Sequence, residues 1–204
     1  MKSRTIRFCG LLTMMGAIAW SYGWLQAGVM PEEVLDPVEV WMSGLFQLGL
    51  VALLAVMRAT DATGTTRASR IVLNAELVAL ALAIGWTIPF AIDTNRADTP
   101  VLVVLDVFWP LSMAGLIVVG AFVLRARRWP APSRYLPLAA SLLIPVDIIL
   151  SLAGLSQQGQ IVVRSAYLAI AYSLVGIFVM RQVAPLGEDL TEKTVAGPLS
   201  ASVR

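Results

Sequence analysis

The chain lacks histidine and has a single cysteine, Cys9, among its 204 residues. Transmembrane haem b needs axial imidazoles, zinc hydrolases need histidines at helical spacing, and rhomboid-type serine catalysis needs a histidine base, so all three are excluded. One cysteine excludes an internal disulfide, a multi-thiolate metal site and a thiol relay of the vitamin-K-reductase type. The sequence also has no glycine-rich phosphate loop, which excludes ATP hydrolysis of that kind. We therefore expect no cofactor and no metal ion.

Charged residues are also scarce, and apolar residues are abundant. Only 14% of the residues are charged and 58% are hydrophobic, and the mean hydropathy is +0.78. Soluble domains are about 45–50% apolar and about 25% charged. This composition excludes a soluble globular domain, a disordered chain and a nucleic-acid-binding protein. The expected partner is the lipid bilayer.

Six apolar runs are long enough to cross a bilayer, for which a helix needs about 20 residues with a range of about 17–25. The sequence predicts an all-α fold, a bundle of six transmembrane helices that forms a single domain over residues 1–180. Residues 181–204 are rich in glycine, proline, serine, threonine and charge, and this composition predicts a flexible cytoplasmic tail. The predicted spans are 8–28, 40–57, 71–92, 100–124, 135–155 and 161–180.

The basic residues orient these spans, because cytoplasmic loops carry an excess of lysine and arginine. Thirteen of the 15 basic residues fall before the first span, after the last span, or in alternate connections between them, and only Arg96 and Arg164 fall on the other side. The pattern predicts that both termini are cytoplasmic. The basic residues on the predicted cytoplasmic side are Lys2, Arg4, Arg7, Arg58, Arg67, Arg70, Arg125, Arg127, Arg128, Arg134, Arg181, Lys193 and Arg204.

The first span has an alternative interpretation as a signal peptide. Basic residues precede an apolar run, and Ala17-Ile18-Ala19 resembles a cleavage site. The apolar run continues past this site, and Trp20 follows it directly, which fits cleavage poorly. We therefore expect the span to be retained. Cleavage would leave one span fewer and an N-terminus on the outer side.

Ionisable residues inside the spans are the candidate site residues, because charge in hydrocarbon is costly and faces protein or water. Glu76 lies on the third span toward the cytoplasmic side, in a row of alanines that lets another helix approach closely. Asn74 lies nearby and is the expected hydrogen-bond partner. Glu76 and Asn74 are interpreted either as a packing contact or as an inner-side proton or cation site.

Two aspartates and one arginine are predicted to meet in the outer half of the bundle. Asp106 precedes Pro110, and Asp147 follows Pro145. Because proline has no N–H, each proline should kink its helix and free a carbonyl one turn earlier. The hairpin between the last two spans brings Arg164 within reach of Asp147. Asp106, Asp147 and Arg164 are interpreted either as an ion pair that sets helix register or as a proton-coupled or ligand-binding site.

The composition, rich in alanine, leucine, valine and arginine and poor in lysine, indicates a bacterium and its plasma membrane. Three classes of function stay open. The first, which we favour, is a non-enzymatic accessory or scaffold protein that partners a second copy or another membrane protein. The second is a small proton-coupled transporter or channel that uses the intramembrane acids. The third is an enzyme acting on lipid through the aspartates. An intramembrane aspartyl protease is disfavoured, because neither aspartate stands in the Gly-x-Gly-Asp context of that class.

Overall fold

The computed structural model describes residues 1–28, 35–95 and 99–181. These residues form eight α-helices and contain no strand, which confirms the predicted all-helical class. Beyond Arg181, the predicted tail lies outside the described residues, as do Glu32, Glu33 and Arg96. The helices are α1 (Ser3–Ala27), α2 (Pro37–Ala59), α3 (Arg67–Ile92), α4 (Pro100–Asp106), α5 (Phe108–Ala126), α6 (Leu136–Ser141), α7 (Leu143–Leu152) and α8 (Gln157–Arg181).

Span-length helices are fewer in the described residues than the six continuous runs of the prediction. Five segments are long and apolar enough to cross a membrane: α1, α2, α3, the α4–α5 pair and α8. The fifth predicted run, 135–155, is divided into α6 and α7, and neither part reaches spanning length by itself. The physical cause of the division is a proline inside the run.

Two prolines account for the two interrupted segments. Pro110 cannot donate to the carbonyl of Asp106, and α4 ends at Asp106. Pro145 likewise cannot donate to the carbonyl of Ser141, where α6 ends. In both segments a new helix begins two residues later, so each interruption is a local break and not a change of direction into a long loop.

Side chains with oxygen acceptors start three of the helices. Asp36 accepts a hydrogen bond from the Glu39 backbone N–H, and Pro37 follows it at the first helical position. Thr66 and Thr99 cap α3 and α4 in the same way, by accepting from backbone N–H groups three residues later. Such caps satisfy amides that the helix itself leaves without a partner. They fix where each helix enters the bundle.

Glycines allow α1 to pack closely against two antiparallel neighbours. A Cβ at Gly16 would lie 2.7 Å from the Leu45 carbonyl oxygen on α2, and one at Gly10 would lie 2.6 Å from the Gly176 carbonyl oxygen on α8. These separations are too short for any larger residue. The N-terminal half of α1 therefore contacts the C-terminal half of α8, and both ends of the described chain lie at the same end of the bundle.

This end, which we call the basic end, also holds the α2–α3 and α5–α6 connections. The Trp129 indole, between α5 and α6, donates a hydrogen bond of 3.1 Å to the Thr60 hydroxyl at the end of α2. Trp129 is buried. The opposite end holds the C-termini of α1 and α3, the N-termini of α2 and α4, and the α7–α8 connection, and the candidate cavity lies there.

Candidate functional site

A cavity of about 320 Å³ opens at the end of the bundle opposite the basic end. We call it the outer cavity. Ligand pockets in proteins have volumes of about 300–1,000 Å³, so this one suits a small ligand. Tryptophans and charged side chains make up most of its wall, and helices α1, α2, α5, α7 and α8 contribute to it. Its lining residues are Trp20, Trp24, Glu39, Trp109, Pro110, Met113, Leu143, Ile144, Asp147 and Arg164.

Arg164 and Asp147 form a loose ion pair in this cavity. The Arg164 Nη1 and Asp147 Oδ2 atoms are 3.9 Å apart, whereas a charge-assisted N–H···O bond is about 2.7–2.9 Å long. The side chains are 29% and 41% exposed respectively. The Arg164 guanidinium also lies over the Trp24 ring, 4.4 Å from its centroid. The structure thus brings together two of the three residues in the predicted outer cluster.

Each member of the pair also has a buried polar atom without a hydrogen-bond partner. These atoms are Asp147 Oδ1 and Arg164 Nε, among the described residues. Buried polar atoms in proteins are nearly always bonded to protein or to ordered water. Both an acceptor and a donor of this pair therefore lack a protein partner among the described residues.

Glu39 is a second acid in the outer cavity. Its Oε1 accepts a hydrogen bond of 2.9 Å from the Trp20 indole N–H. Arg164 also interacts with this carboxylate electrostatically. Because the Asp36 cap and Pro37 begin α2 just before it, Glu39 lies in the first turn and faces α1. With two carboxylates and one guanidinium, the outer cavity has a formal charge of −1.

Asp106, the third residue of the predicted outer cluster, lies elsewhere. It ends α4, its side chain is exposed, and it is not among the described residues that line the outer cavity. Pro110, one turn later on α5, does line the cavity. The break at Pro110 therefore contributes to the cavity wall, whereas the acid beside the break does not. Pro145 breaks the segment whose second half carries Asp147.

Glu76 forms a separate polar centre between α3 and α5. It is 4% exposed, and its Oε1 accepts a hydrogen bond of 2.6 Å from the Ser112 hydroxyl. Its other oxygen lies against the backbone of Gly115, where a Cβ would overlap it. An apolar groove of about 390 Å³ runs beside it, lined by Val72, Ala75, Ala79, Leu111, Ala114 and Val118.

The predicted partner of Glu76 has a different contact. Asn74 is exposed and accepts a hydrogen bond from the Arg58 guanidinium at the basic end. Two residues along a helix are about 200° apart around its axis, so Asn74 and Glu76 face different directions. The hydroxyl that bonds Glu76 belongs instead to Ser112 on another helix.

The two polar centres lie on different faces of α5. Met113 lines the outer cavity, whereas its neighbour Ser112 contacts Glu76 on α3. Aromatic rings pack beside the outer cavity: Phe46 lies 5.0 Å from Trp20, which lines the cavity, and 5.0 Å from Tyr172, measured between ring centroids. Phe46 and Tyr172 are fully buried. In the described residues, the outer cavity and the Glu76 groove share no lining residue.

Sequence reasoning missed Glu39, Ser112 and the role of the tryptophans. Glu39 directly precedes the predicted span 40–57, so a search for ionisable residues inside the spans does not select it. The signal that would have found the first site is the spacing of Trp20 and Trp24, which are four residues apart and face one side of α1. No local signal selects Ser112, because its partner is 36 residues away.

Comparison of the chain with protein-family models, with curated proteins and with solved structures finds no match.

Proposed function

We propose that the chain is a multi-pass protein of a bacterial plasma membrane with six crossings and both termini in the cytoplasm. Five helices of spanning length support this proposal. The sixth crossing would be the broken α6–α7 segment, whose 17 residues from Leu136 to Leu152 would extend about 25 Å as helix. Antiparallel contacts along this segment support it as well: Tyr167 bonds the Ala139 carbonyl, and Arg164 pairs with Asp147.

Cysteine labelling tests the topology directly, because Cys9 is the sole native cysteine. In a Cys9→Ala background, Ala131→Cys and Gln158→Cys place single exposed thiols at the two ends of the broken segment. A membrane-impermeant maleimide should label Gln158→Cys in intact cells, and Ala131→Cys only after permeabilisation. Labelling of both from the same side would contradict the sixth crossing, and the reverse pattern would contradict the orientation.

We further propose that the protein has a non-enzymatic role, as an accessory or scaffold protein that partners a second copy or another membrane protein. The observation that carries this proposal is that Glu76 lies apart from the two acids of the outer cavity, Glu39 and Asp147. Asp147 pairs with Arg164, and Glu76 bonds Ser112 on another face of α5. Acid–base catalysis and proton relays both need titratable groups within hydrogen-bond reach of each other or of a shared substrate. Here, the two centres have different partners, and none of the described residues lines both the outer cavity and the Glu76 groove.

The test has two arms. In liposomes containing a pH-sensitive dye and energised by a potassium diffusion potential, we expect proton entry at the rate of protein-free liposomes. After mild solubilisation from its own membrane, we expect the 21.9 kDa chain to migrate in a larger complex. Proton flux that Asp147→Asn abolishes and Asp106→Asn leaves intact would refute the non-enzymatic, non-transporting role. Migration as a lone chain would refute the accessory role.

A small proton-coupled transporter is the second candidate. It is supported by the opening of the outer cavity onto Asp147 and by the helix breaks at Pro110 and Pro145, since broken helices recur at transporter binding sites. A chain of this size would need a second copy to enclose a pathway. The flux arm above distinguishes this candidate from the first.

A further inference from the structure

The basic end holds a second cavity whose chemistry is opposite to that of the outer cavity. Its volume is about 570 Å³, and it is lined by Arg125, Arg127, Arg134, Tyr135, Ala121 and Leu124. Three guanidiniums line it, with no carboxylate among the lining residues that the structure describes. We call this the arginine cavity. The formal charge of its lining is +3.

The arginines are held in place by an anchored connection between α5 and α6. Trp129 is 4% exposed and hydrogen-bonds Thr60, and Ser133 is 2% exposed and donates a 2.6 Å bond to the Pro130 carbonyl. Arg127 ends α5 in the left-handed region, with φ of 51°. That conformation is uncommon for any residue other than glycine, and it turns the chain sharply at the end of the helix.

Arg134 is oriented further by its neighbour. Its Nη2 donates a 2.8 Å bond to the Tyr135 hydroxyl, and its guanidinium lies 4.9 Å from the centroid of that ring. The Arg134 Nε is buried and has no hydrogen-bond partner among the described residues. The contact with Tyr135 therefore fixes the orientation of the Arg134 guanidinium at the cavity.

The described part of the basic end supplies little negative charge to the three guanidiniums. Asp61 is the acid near this end, and it lines a neighbouring cavity with Arg58 and Arg70. Guanidiniums match the geometry of phosphate oxygens and bind them through paired N–H···O bonds. The apolar wall, Ala121 and Leu124, lies on the helix that runs from this cavity into the bundle. A phosphate with an attached apolar chain fits both parts of the lining.

We propose that the arginine cavity binds an anionic phosphate group, of the kind that a phosphatidylglycerol headgroup presents at the membrane surface. Arg125, Arg127 and Arg134 hold the phosphate oxygens. Tyr135 positions Arg134. Basic pockets between transmembrane helices are known hosts for anionic headgroups, and the proposal requires only that the basic end lies at a membrane interface. It does not depend on the function proposed for the outer cavity.

The experiment compares two probes on the purified protein in detergent. One arm adds dioleoylphosphatidylglycerol, with dioleoylphosphatidylcholine as its reference. The other adds inorganic phosphate, with chloride at equal ionic strength as its reference. Thermal unfolding gives an apparent affinity for each probe. The variants are Arg125→Gln and Arg134→Gln, and the matched control is Arg128→Gln, which removes the same charge from an exposed residue outside the cavity lining.

We expect phosphatidylglycerol to raise the unfolding temperature, with an apparent affinity about fivefold weaker in Arg125→Gln and in Arg134→Gln. Arg128→Gln should stay within about twofold of the parent, because it contributes only a screened surface charge. The same variant pattern with inorganic phosphate would support the site and extend it to free phosphate. Arg125→Gln leaves the Arg134–Tyr135 contact intact, so the test stands even where Arg134→Gln fails to fold.

Two results would overturn the proposal. An equal loss in all three variants would mean that binding follows net charge and not this cavity. No stabilisation by either anionic probe over its reference would mean that the cavity holds no phosphate.

Discussion

Replacing Gly115 by alanine tests the Glu76 centre at the point where its geometry is tightest. A Cβ at residue 115 would overlap Glu76 Oε2. Since Ser112 holds the other carboxylate oxygen at 2.6 Å, the side chain cannot move aside without losing that bond. Gly115 and Glu76 both line the apolar groove between α3 and α5, and the other described residues of that groove offer a displaced carboxylate no polar side chain.

The magnitude follows from three terms. Overpacking a filled site costs about 1–3 kcal/mol. Losing the Ser112 bond in a buried place costs about 1–3 kcal/mol. Glycine to alanine inside a helix returns about 1 kcal/mol of helix propensity. The expected net loss in the free energy of unfolding is therefore about 1–5 kcal/mol, which for a chain of this size is a drop in Tm of roughly 2–20 °C.

Thermal unfolding in detergent measures this, with Gly85→Ala on α3 as the matched control. A Cβ at Gly85 meets the Leu105 side chain at 3.6 Å, an ordinary contact, so this variant should be as stable as the parent or more so by up to about 1 kcal/mol. Adding Glu76→Ala to Gly115→Ala should remove the overlap, and the double variant should be more stable than the sum of the singles by at least about 1 kcal/mol. A Gly115→Ala protein as stable as Gly85→Ala would refute this placement of the Glu76 carboxylate.

Two further predictions concern the ends of the bundle. A double-mutant cycle on Asp147→Asn and Arg164→Gln, read by thermal unfolding, should give a coupling of about 0.2–1 kcal/mol, because the pair is loose and partly exposed; a coupling above about 3 kcal/mol would indicate a dry, buried pair instead. Trp129→Phe should lose about 1 kcal/mol with its hydrogen bond to Thr60, whereas the exposed Trp41→Phe should change stability by less than about 0.5 kcal/mol. Equal effects of the two tryptophan substitutions would count against an anchored α5–α6 connection.

Helix breaks could be predicted from the sequence because their cause is local. Pro110 and Pro145 each remove the donor for a carbonyl one turn earlier, and the helices end at those carbonyls. Pro89 has the same local effect, yet α3 continues through it and ends three residues later, at Ile92. Because only three residues of α3 follow Pro89, a break there would change the direction of very little helix. The sequence therefore identified the breaks without indicating that one of them would divide a predicted span into two short helices.

Contacts between helices could not be predicted in the same way, because they depend on how each helix is rotated about its axis. The position of each residue along its span predicts its depth in the membrane, and the depths of Asp106, Asp147 and Arg164 predict that the three meet. The structure places Asp106 on an exposed face and brings Glu39 into the outer cavity instead. Rotation is set by packing partners far apart in sequence, such as the glycines of α1 against α2 and α8. Hydropathy contains no information about those pairings.

The arginines of the basic end also show the difference between what the sequence predicts and what the structure adds. In the topology argument, Arg128 and Arg134 count equally, since the excess of positive residues depends only on the side of the membrane where they lie. In the structure they differ: Arg128 is exposed outside the cavity lining, and Arg134 lies in the arginine cavity with a buried, unbonded Nε. Topology alone would require neither the buried Trp129 anchor nor the contact between Arg134 and Tyr135. If the connection only set the topology, either Arg128 or Arg134 could be shifted to a neighbouring position without loss. If it binds phosphate, only Arg128 could be shifted, because Arg134 lines the cavity.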